Sequence, residues 1–298
     1  MPPSRLAPTL PGALRAAAEH DPGRPALTDG QRSLTYGDLA GLLEEDPEGH
    51  PGEVRALDAG DPFELVVDLV RLTAGGAAVA PIDPELPTAA REAMCARLHP
   101  VDPVRPGGAG PDPDDVALVI ATSGTTARPT LVEQTHRNLR VSAEGARDRL
   151  RVTPEDGVLA LTPFSHVLAL RATLDGLWIG STVVLLRGAA TGGRLEAMVE
   201  GIEHPATTYV SGSPAALEAL AAVYERRSPP SGLRLVRSGG APLSALSQER
   251  IQAALGVPVL VGYGMTQAAK IATPAFPPDP ADAGTVGRPL VELQIVDD

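Results

Sequence analysis

The sequence contains very little cysteine and no long hydrophobic run. Its 298 residues include a single cysteine, Cys95, which excludes an intramolecular disulfide framework and a cysteine-based metal cluster. No stretch of about 18 apolar residues occurs, and the N-terminus has prolines in place of an apolar segment, which argues against a membrane span and a signal peptide. These absences predict a cytoplasmic protein.

The sequence also lacks an excess of positive charge. The formal net charge is −12 at pH 7, so nucleic acid or an anionic membrane would be repelled at long range. We therefore expect no nucleic-acid partner and no membrane partner, whereas a small anionic ligand held by local donors is still compatible with this charge. The 25 basic residues comprise 24 arginines and one lysine, Lys270.

Composition and patterning predict an α/β fold. Apolar residues make up 43% of the chain and charged residues 21%, which is typical of a globular protein. Short apolar strands alternate with helical segments, and this alternation predicts a largely parallel sheet. The predicted strands include VALVIAT, GVLALTPF, GSTVVLL, ATTYVSG, LRLVRSGG and VPVLVGYG. The predicted helices include residues 137–150, PAALEALAAVYERR and SALSQERIQAAL.

One segment rich in proline, glycine and aspartate divides the chain. Residues 100–115, PVDPVRPGGAGPDPDD, are too polar and too interrupted to pack, and we interpret them as an exposed linker. The predicted organisation is therefore a first α/β part at 1–99, the linker at 100–115, and a second part at 116–298.

The segment TSGTT, residues 122–126, follows the predicted strand VALVIAT. Backbone N–H groups in such a glycine-containing turn form a concave anion site, and the hydroxyls of Ser123, Thr125 and Thr126 add donors for phosphate oxygens. It is not a Walker A loop, because G-x-x-x-x-G-K-[ST] is missing. Taken alone, the same cluster is also typical of an ordinary turn.

In this strand context the loop resembles the signature of the adenylate-forming superfamily, which includes acyl-CoA synthetases, luciferases and nonribosomal peptide adenylation domains. The family pattern is T-S-G-T-T-G-x-P-K-G-V, with a Thr-His pair shortly after. Further segments resemble the family's motifs in the family's order: LTYGDL, AGGAAVAPIDPELP, PFSH, SGGAPL, GYGMTQ and GTVGRPL. PFSH favours the acyl-CoA ligase branch. The resemblance implies the family's large N-terminal domain, with mostly parallel sheets covered by helices.

The resemblance also implies roles for individual residues. Tyr263 would stack on adenine, Thr266 would hydrogen-bond the α-phosphate, and His166 would lie near the acyl carboxylate. The remaining residues would line the adenylate site from the phosphate loop, the SGGAPL loop and the GYGMTQ loop: Thr122, Ser123, Gly124, Thr125, Thr126, Gly239, Gly240, Ala241, Gly262, Gly264, Met265 and Gln267. Lys270 is a candidate to neutralise the α-phosphate or to contact coenzyme A. We expect no protein-bound metal site.

The departures from the family pattern are concentrated on the polyphosphate side. Ala127, Thr130 and Leu131 replace the Gly, Lys and Gly of the phosphate loop, and Gln267 replaces the magnesium-binding Glu. A charge-assisted hydrogen bond contributes roughly 1.5–3 kcal/mol, which neutral side chains cannot supply in full. We therefore expect acyl-AMP or AMP and coenzyme A as ligands, with ATP and Mg²⁺ used poorly or not at all. A drifted but working loop is the alternative.

Three functions remain open at this point. The first is an acyl-CoA ligase-type enzyme that binds an acyl-adenylate and forms the thioester, with impaired adenylation. The second is an ordinary ATP-dependent acyl- or aryl-CoA ligase, and the third is a non-catalytic scaffold that binds AMP or an acyl-adenylate. The family continues beyond the point that corresponds to residue 298, so we expect the small C-terminal domain to be absent. Either the chain is a fragment of a longer polypeptide that carries this domain, or a partner, such as a separate adenylating enzyme, completes the site.

The sequence also suggests which kind of carboxylic acid the protein would use as its substrate. Ala169, Leu170 and the stretch ATTYVSGSP are expected to line an apolar pocket. Such a pocket would favour an aromatic, alicyclic or medium-length acyl group over a charged one.

Overall fold

The structure is a computed structural model that describes residues 6–45, 49–103, 110–122, 130–187, 194–268, 270–282, 284–292 and 294. Strands and helices alternate along this part of the chain, and most strand pairs are parallel. The predicted α/β fold is confirmed. No helix in these ranges is long and apolar enough to cross a membrane.

The strands fall into three sheets. In chain order they are β1 (Pro25–Thr28), β2 (Ser33–Thr35), β3 (Val54–Asp58), β4 (Ala78–Ile82), β5 (Val116–Ala121), β6 (Leu131–Thr135), β7 (Gly157–Ala160), β8 (Thr182–Val184), β9 (Tyr209–Gly212), β10 (Leu235–Ser238), β11 (Val259–Val261), β12 (Tyr263–Gly264), β13 (Lys270–Thr273) and β14 (Arg288–Pro289). The six strands predicted from apolar runs correspond to β5 and to β7–β11, and each is confirmed.

Within the described residues the largest sheet has seven strands in the order β11-β10-β9-β7-β8-β1-β2. All of its pairs are parallel except the β1–β2 hairpin. A second sheet, β3-β4-β5-β6, is parallel up to the antiparallel pair β5–β6. A small antiparallel sheet joins β12, β13 and β14.

Five of the nine helices in the described residues begin after a side chain that caps the first turn. The nine helices are α1 (Leu10–His20), α2 (Tyr36–Glu45), α3 (Pro62–Ala74), α4 (Thr88–Cys95), α5 (His136–Leu150), α6 (Val167–Ile179), α7 (Arg194–Glu203), α8 (Pro214–Tyr224) and α9 (Ala245–Leu255). Side chains of Ser213 and Ser244 accept hydrogen bonds from the first turns of α8 and α9. The predicted helices at 137–150, 214–227 and 244–255 are confirmed as α5, α8 and α9.

Helices cover both faces of the seven-stranded sheet. Along β7, Val158 packs into one core cluster and Leu159 into the other, and Leu235 and Val236 divide in the same way along β10. This alternation follows from the two-residue period of a strand. Apolar residues of α7, α8 and α9 belong to the second cluster, whereas α1, α3, α5 and α6 contribute to the first.

Helix α6 was not predicted from the sequence. Ten consecutive residues, Ala169 to Trp178, are buried, because the helix packs against α5, α1 and strand β7. A helix that is buried all round shows no apolar stripe, so periodicity gives no signal for it. Two of these buried residues, Arg171 and Asp175, are charged.

The predicted linker has no helix or strand at residues 100–103 and 110–115, and residues 104–109 lie outside the described residues. The first part of the chain nevertheless shares a sheet with the second, because β1 pairs with β8. The segment therefore does not separate two sheets, and the proposed division of the chain into domains stays a prediction.

The Thr-His pair of the motif region begins α5 and belongs to the core. The Thr135 side chain caps the helix, and His136 is 1% exposed. Its Nδ1 accepts a hydrogen bond from the Leu10 backbone N–H at 3.3 Å, and its ring meets Trp178 edge-on. Burial lowers the pKa of His136 to about 4, while Asp115 opposes the shift. The neutral imidazole is thus part of the fold at pH 7.

This burial predicts that His136 destabilises the protein as pH falls from about 6.5 towards 4, because only the unfolded chain then binds the proton. At pH 5 the loss from this group is about 2 kcal/mol. We expect His136→Gln to be less stable than wild type at pH 7.5 but to lose about 2 kcal/mol less on transfer to pH 5, measured by urea unfolding. His99→Gln, at an exposed position, is the control and should keep the wild-type slope. Equal slopes for His136→Gln and wild type would contradict the prediction.

Candidate functional site

Two of the motif loops, SGGAPL and GYGMTQ, meet at one edge of the seven-stranded sheet. Strands β9, β10 and β11 are parallel neighbours, so their carboxyl ends lie side by side, which is where open α/β sheets bind ligands. The Gly239 N–H donates to the Gly212 carbonyl at 3.1 Å, and the Gly262 N–H donates to the Ser238 carbonyl at 2.9 Å. The SGGAPL and GYGMTQ loops are therefore fixed next to each other.

The glycines of these loops meet specific steric demands. Gly240 has φ +85°, a left-handed conformation that favours glycine. A Cβ on Gly262 would lie 2.6 Å from Nη2 of Arg237, so any larger residue there would force the guanidinium to shift. Gly239 is buried, whereas Gly240 and Ala241 are exposed. The predicted role of Gly239, Gly240 and Ala241 in lining the adenylate pocket through backbone atoms stays a prediction.

The GYGMTQ loop presents its side chains outwards. Tyr263 is 44% exposed and Met265 42% exposed, Gln267 is exposed and Thr266 is half-buried, as is Gly264. An exposed ring beside a glycine loop is available for stacking on a flat ligand. The roles assigned to Tyr263 and Thr266 stay predictions.

The same loop is held from behind by two buried side chains. Gln134 on β6 donates through Nε2 to the Thr266 carbonyl at 2.9 Å. Arg171 on α6 donates through Nη1 to the Met265 carbonyl at 3.2 Å and through Nη2 to Gln134 Oε1 at 2.7 Å. This network joins the strand after the phosphate loop, the buried helix α6 and the loop that carries Thr266. Neither Gln134 nor Arg171 was predicted from the sequence.

The phosphate loop is described at its two ends only. The Thr122 N–H donates to the Thr130 carbonyl at 2.8 Å, and the Thr130 N–H donates to Thr122 Oγ1 at 3.3 Å. Ser123, Gly124, Thr125 and Thr126 lie outside the described residues, as does Ala127. Thr130, at the position of the family's lysine, is exposed at the base of the loop. The loop's role in binding phosphate therefore stays a prediction.

His166 lies at the N-cap position of α6. It is exposed, its side chain makes no capping hydrogen bond, and its backbone N–H donates to the Pro163 carbonyl at 3.0 Å. It directly precedes Val167 and Leu168, which line a cavity behind the GYGMTQ loop. Its predicted place near an acyl carboxylate stays a prediction.

Lys270 lies on β13 and is buried. Its ammonium forms an ion pair with Asp175 and donates to the Ser142 carbonyl at 3.1 Å. Burial lowers the pKa of Lys270 to about 8, and Asp175 opposes this shift. The lysine therefore has protein partners, and its predicted role towards phosphate or coenzyme A stays a prediction.

The cavity behind the loop differs from the expected apolar pocket. Ala169 and Leu170 pack in the core, and apolar and charged side chains share the cavity lining. The residues that line it are Val167, Leu168, Arg171, Ala172, Asp175, Tyr209, Arg237, Gly240, Gly264, Met265 and Lys270. The prediction for Ala169 and Leu170 was wrong, because α6 turns other residues towards this space, among them Arg171 and Asp175. Tyr209, from the predicted stretch ATTYVSGSP, does line the cavity. The sequence did contain a signal for a charged lining, since single charged residues, Arg171, Asp175 and Arg237, interrupt the apolar segments VLALRATLDGLWI and LRLVRSGG.

Magnesium would find few hard ligands here. Gln267 offers a neutral amide where the family has a carboxylate, and Mg²⁺ prefers carboxylate oxygens and phosphates. Among the described residues no cluster of three or more histidine, cysteine, aspartate or glutamate side chains could hold a metal ion. The expected preference for an adenylate over a magnesium-bound triphosphate stays a prediction.

The chain resembles known proteins over most of its length. The family model described as AMP-binding enzyme matches residues 85–298. "Probable CoA ligase CCL9" from Humulus lupulus is 28% identical over 97% of this chain and 66% of its own length. "4-coumarate--CoA ligase 3" from Oryza sativa subsp. japonica is 33% identical over 62% of this chain and 35% of its own length.

A solved structure supports the fold. The apo structure of Mycobacterium smegmatis MbtA superposes with a TM-score of 0.78 at 24% identity, and the match covers 99% of this chain and 64% of that one. The chain thus spans about two thirds of the Humulus relative and about one third of the Oryza relative.

The network around Gln134 generates a prediction. Gln134→Leu removes the donor to the Thr266 carbonyl and the acceptor for Arg171, so we expect a stability loss of about 1–3 kcal/mol and weaker binding of AMP. Urea unfolding and calorimetric titration with AMP measure the two effects. Gln248→Leu is the control, since Gln248 donates to the Val259 carbonyl outside this network. An unchanged AMP affinity in Gln134→Leu would contradict the positioning role.

Proposed function

Because the chain belongs to the family of AMP-binding enzymes, we propose that it binds an acyl-adenylate and transfers the acyl group to coenzyme A, with weak or absent ATP-dependent adenylation. The relatives named as CoA ligases support coenzyme A as the thiol that accepts the acyl group. The substrates are then a small carboxylic acid, or its adenylate, and CoA.

The observation that carries the proposal is the pair of neutral residues, Thr130 and Gln267. Both are exposed, one at the base of the phosphate loop and one in the GYGMTQ loop, where the family pattern has Lys and Glu. Removal of one preorganised contact to a transition state commonly costs about 10²–10³ in rate. Thr and Gln can donate or accept hydrogen bonds, but they do not balance the charge of a polyphosphate and its Mg²⁺.

The second half-reaction, in which coenzyme A attacks the acyl-adenylate, needs fewer phosphate contacts than adenylation. The thiol sulfur attacks the acyl carbonyl, a C–S bond forms, the C–O bond to the phosphate breaks, AMP leaves, and the thiol proton passes to water. Only the α-phosphate must be stabilised. Thr266, which the Gln134–Arg171 network fixes, and the exposed ring of Tyr263 are suited to that ligand.

Two alternatives make different predictions. The ordered motifs and the CoA ligase relatives also fit an ATP-dependent acyl- or aryl-CoA ligase, in which the altered loop still works. A scaffold that kept the pocket without catalysis would bind AMP or an acyl-adenylate and form no thioester.

Calorimetric titration of the chain with ATP·Mg²⁺ and, separately, with a non-hydrolysable acyl-AMP mimic tests the proposal. We expect tight binding of the mimic and weak or no binding of ATP. Comparable affinities would favour the ATP-dependent ligase. Thioester formation from supplied acyl-adenylate and CoA then separates the enzyme from the scaffold, since the scaffold yields none.

A double substitution tests the cause of weak ATP use. Thr130→Lys combined with Gln267→Glu restores one cation and one carboxylate, so we expect tighter ATP·Mg²⁺ binding by roughly 10-fold or more, with acyl-AMP mimic affinity almost unchanged. The charge-matched control is Thr88→Lys with Gln31→Glu, both at exposed positions elsewhere. If the double variant gained no affinity for ATP over this control, the two positions would not be what limits ATP binding.

A further inference from the structure

The cavity behind the GYGMTQ loop contains four buried charged side chains. Arg171, Asp175, Arg237 and Lys270 all line it, and each is between 3% and 6% exposed. Three of them are cations and one is a carboxylate. A buried charge is costly unless another charge or a set of hydrogen bonds compensates it. The cavity therefore has positive charge that its own walls do not neutralise.

Only one of the three cations forms an ion pair in the described structure. Lys270 pairs with the carboxylate of Asp175. Arg171 binds the neutral Gln134 amide and the carbonyls of Met265 and Thr266. Burial lowers the pKa of Arg171 to about 10; the charge of Asp175 opposes this shift, and the charge of Arg237 adds to it. The cations thus repel one another across the cavity.

Arg237 is the side chain without a partner. It is 5% exposed, its Nε is buried with no hydrogen bond, and within the described residues no carboxylate or carbonyl accepts a hydrogen bond from its guanidinium. The guanidinium packs beneath Gly262, where a Cβ would lie 2.6 Å from Nη2, and near Gly239. Arg237 therefore borders the cavity with donors that a ligand can use.

We propose that the acid substrate is a short dicarboxylic acid whose second carboxylate, the one that is not activated, binds to the guanidinium of Arg237 inside this cavity. The inference rests on the proposed function, because it assigns the tail of the same acyl group. Arginine suits this role, since its planar fork can bind a carboxylate through two hydrogen bonds.

The position of the cavity indicates that Arg237 would bind the second carboxylate of the diacid and not the carboxylate that is activated. Arg171 reaches the loop carbonyls of Met265 and Thr266 from the buried side, whereas Tyr263 presents its side chain outwards. The charged cavity thus lies on the inner side of the loop that would hold the adenylate. Its volume is about 50 Å³, space for a few water molecules, and this limits the tail to a short one.

Matched adenylate mimics test the inference. The probes are the succinyl and glutaryl sulfamoyl adenosines and their uncharged isosteres, the 4-methylpentanoyl and 5-methylhexanoyl compounds, in which an isopropyl group replaces the free carboxylate. We expect wild type to bind at least one diacid compound more tightly than its isostere, on the order of 10- to 100-fold by calorimetry. An isostere bound as tightly as its diacid in both pairs would overturn the inference.

Substitutions at Arg237 test whether its guanidinium binds the free carboxylate of the diacid. We expect Arg237→Leu to lose the diacid preference while it keeps or improves affinity for the isostere, and Arg237→Lys to retain part of the preference. Arg234→Leu is the control, because Arg234 lies on the same stretch of chain but pairs with Asp156. An equal loss for diacid and isostere in Arg237→Leu would mean that the arginine binds a group common to both, which also overturns the inference.

The failure of the inference is distinguishable from the failure of the proposed function. Titration of wild type with AMP and with all four mimics separates the two. If AMP and the isosteres bind and the diacid compounds bind no more tightly, only the inference that a second carboxylate binds to Arg237 is contradicted. Absence of binding for AMP and every mimic contradicts the adenylate site itself. Should Arg237→Leu not fold, the wild-type comparison of diacids with isosteres still decides the matter.

Discussion

The hydrogen bonds that converge on the Thr266 carbonyl connect the parts of the molecule on which the site depends. Gln134 extends from the strand that follows the phosphate loop, and Arg171 extends from a helix buried on almost all sides. Both donate to a backbone carbonyl, so they fix the loop without using its side chains. Thr266 and Tyr263 are thereby left free to face a ligand. Because Arg171 is a buried cation, the geometry of the loop is tied to the burial of charge beneath it.

That burial explains why charged side chains line a cavity that is otherwise largely apolar. The fold needs Arg171 to hold the loop, and Asp175, one helical turn further along α6, is taken by Lys270. Arg237 then enters the same space from β10 with no anion left for it among the described residues. The free carboxylate of the proposed diacid would supply that anion. The positioning of the loop and the proposed carboxylate contact thus share one set of side chains.

The sequence predicted the fold and the loops with few errors, and the reason lies in their local signals. Apolar runs such as VALVIAT and VPVLVGYG are long enough and sharply enough bounded to identify β5 and β11. The SGGAPL and GYGMTQ loops are recognisable because glycines such as Gly240 and Gly262 meet steric demands that other residues do not. Helix α6 gave no periodic signal, since it is buried on almost every side. The charged residues within it were therefore not assigned to the site.

The amino-acid sequence by itself determined the α/β class, the order of the motifs and the neutral residues at positions 130 and 267, because each of these depends on residues close together in the chain. The tertiary structure decided which distant residues share a cavity. Arg171, Arg237 and Lys270 lie far apart in sequence, and their approach depends on how α6, β10 and β13 pack. Whether a buried charge is compensated is a property of its surroundings in space, so only the folded chain could separate the paired Lys270 from the unpaired Arg237.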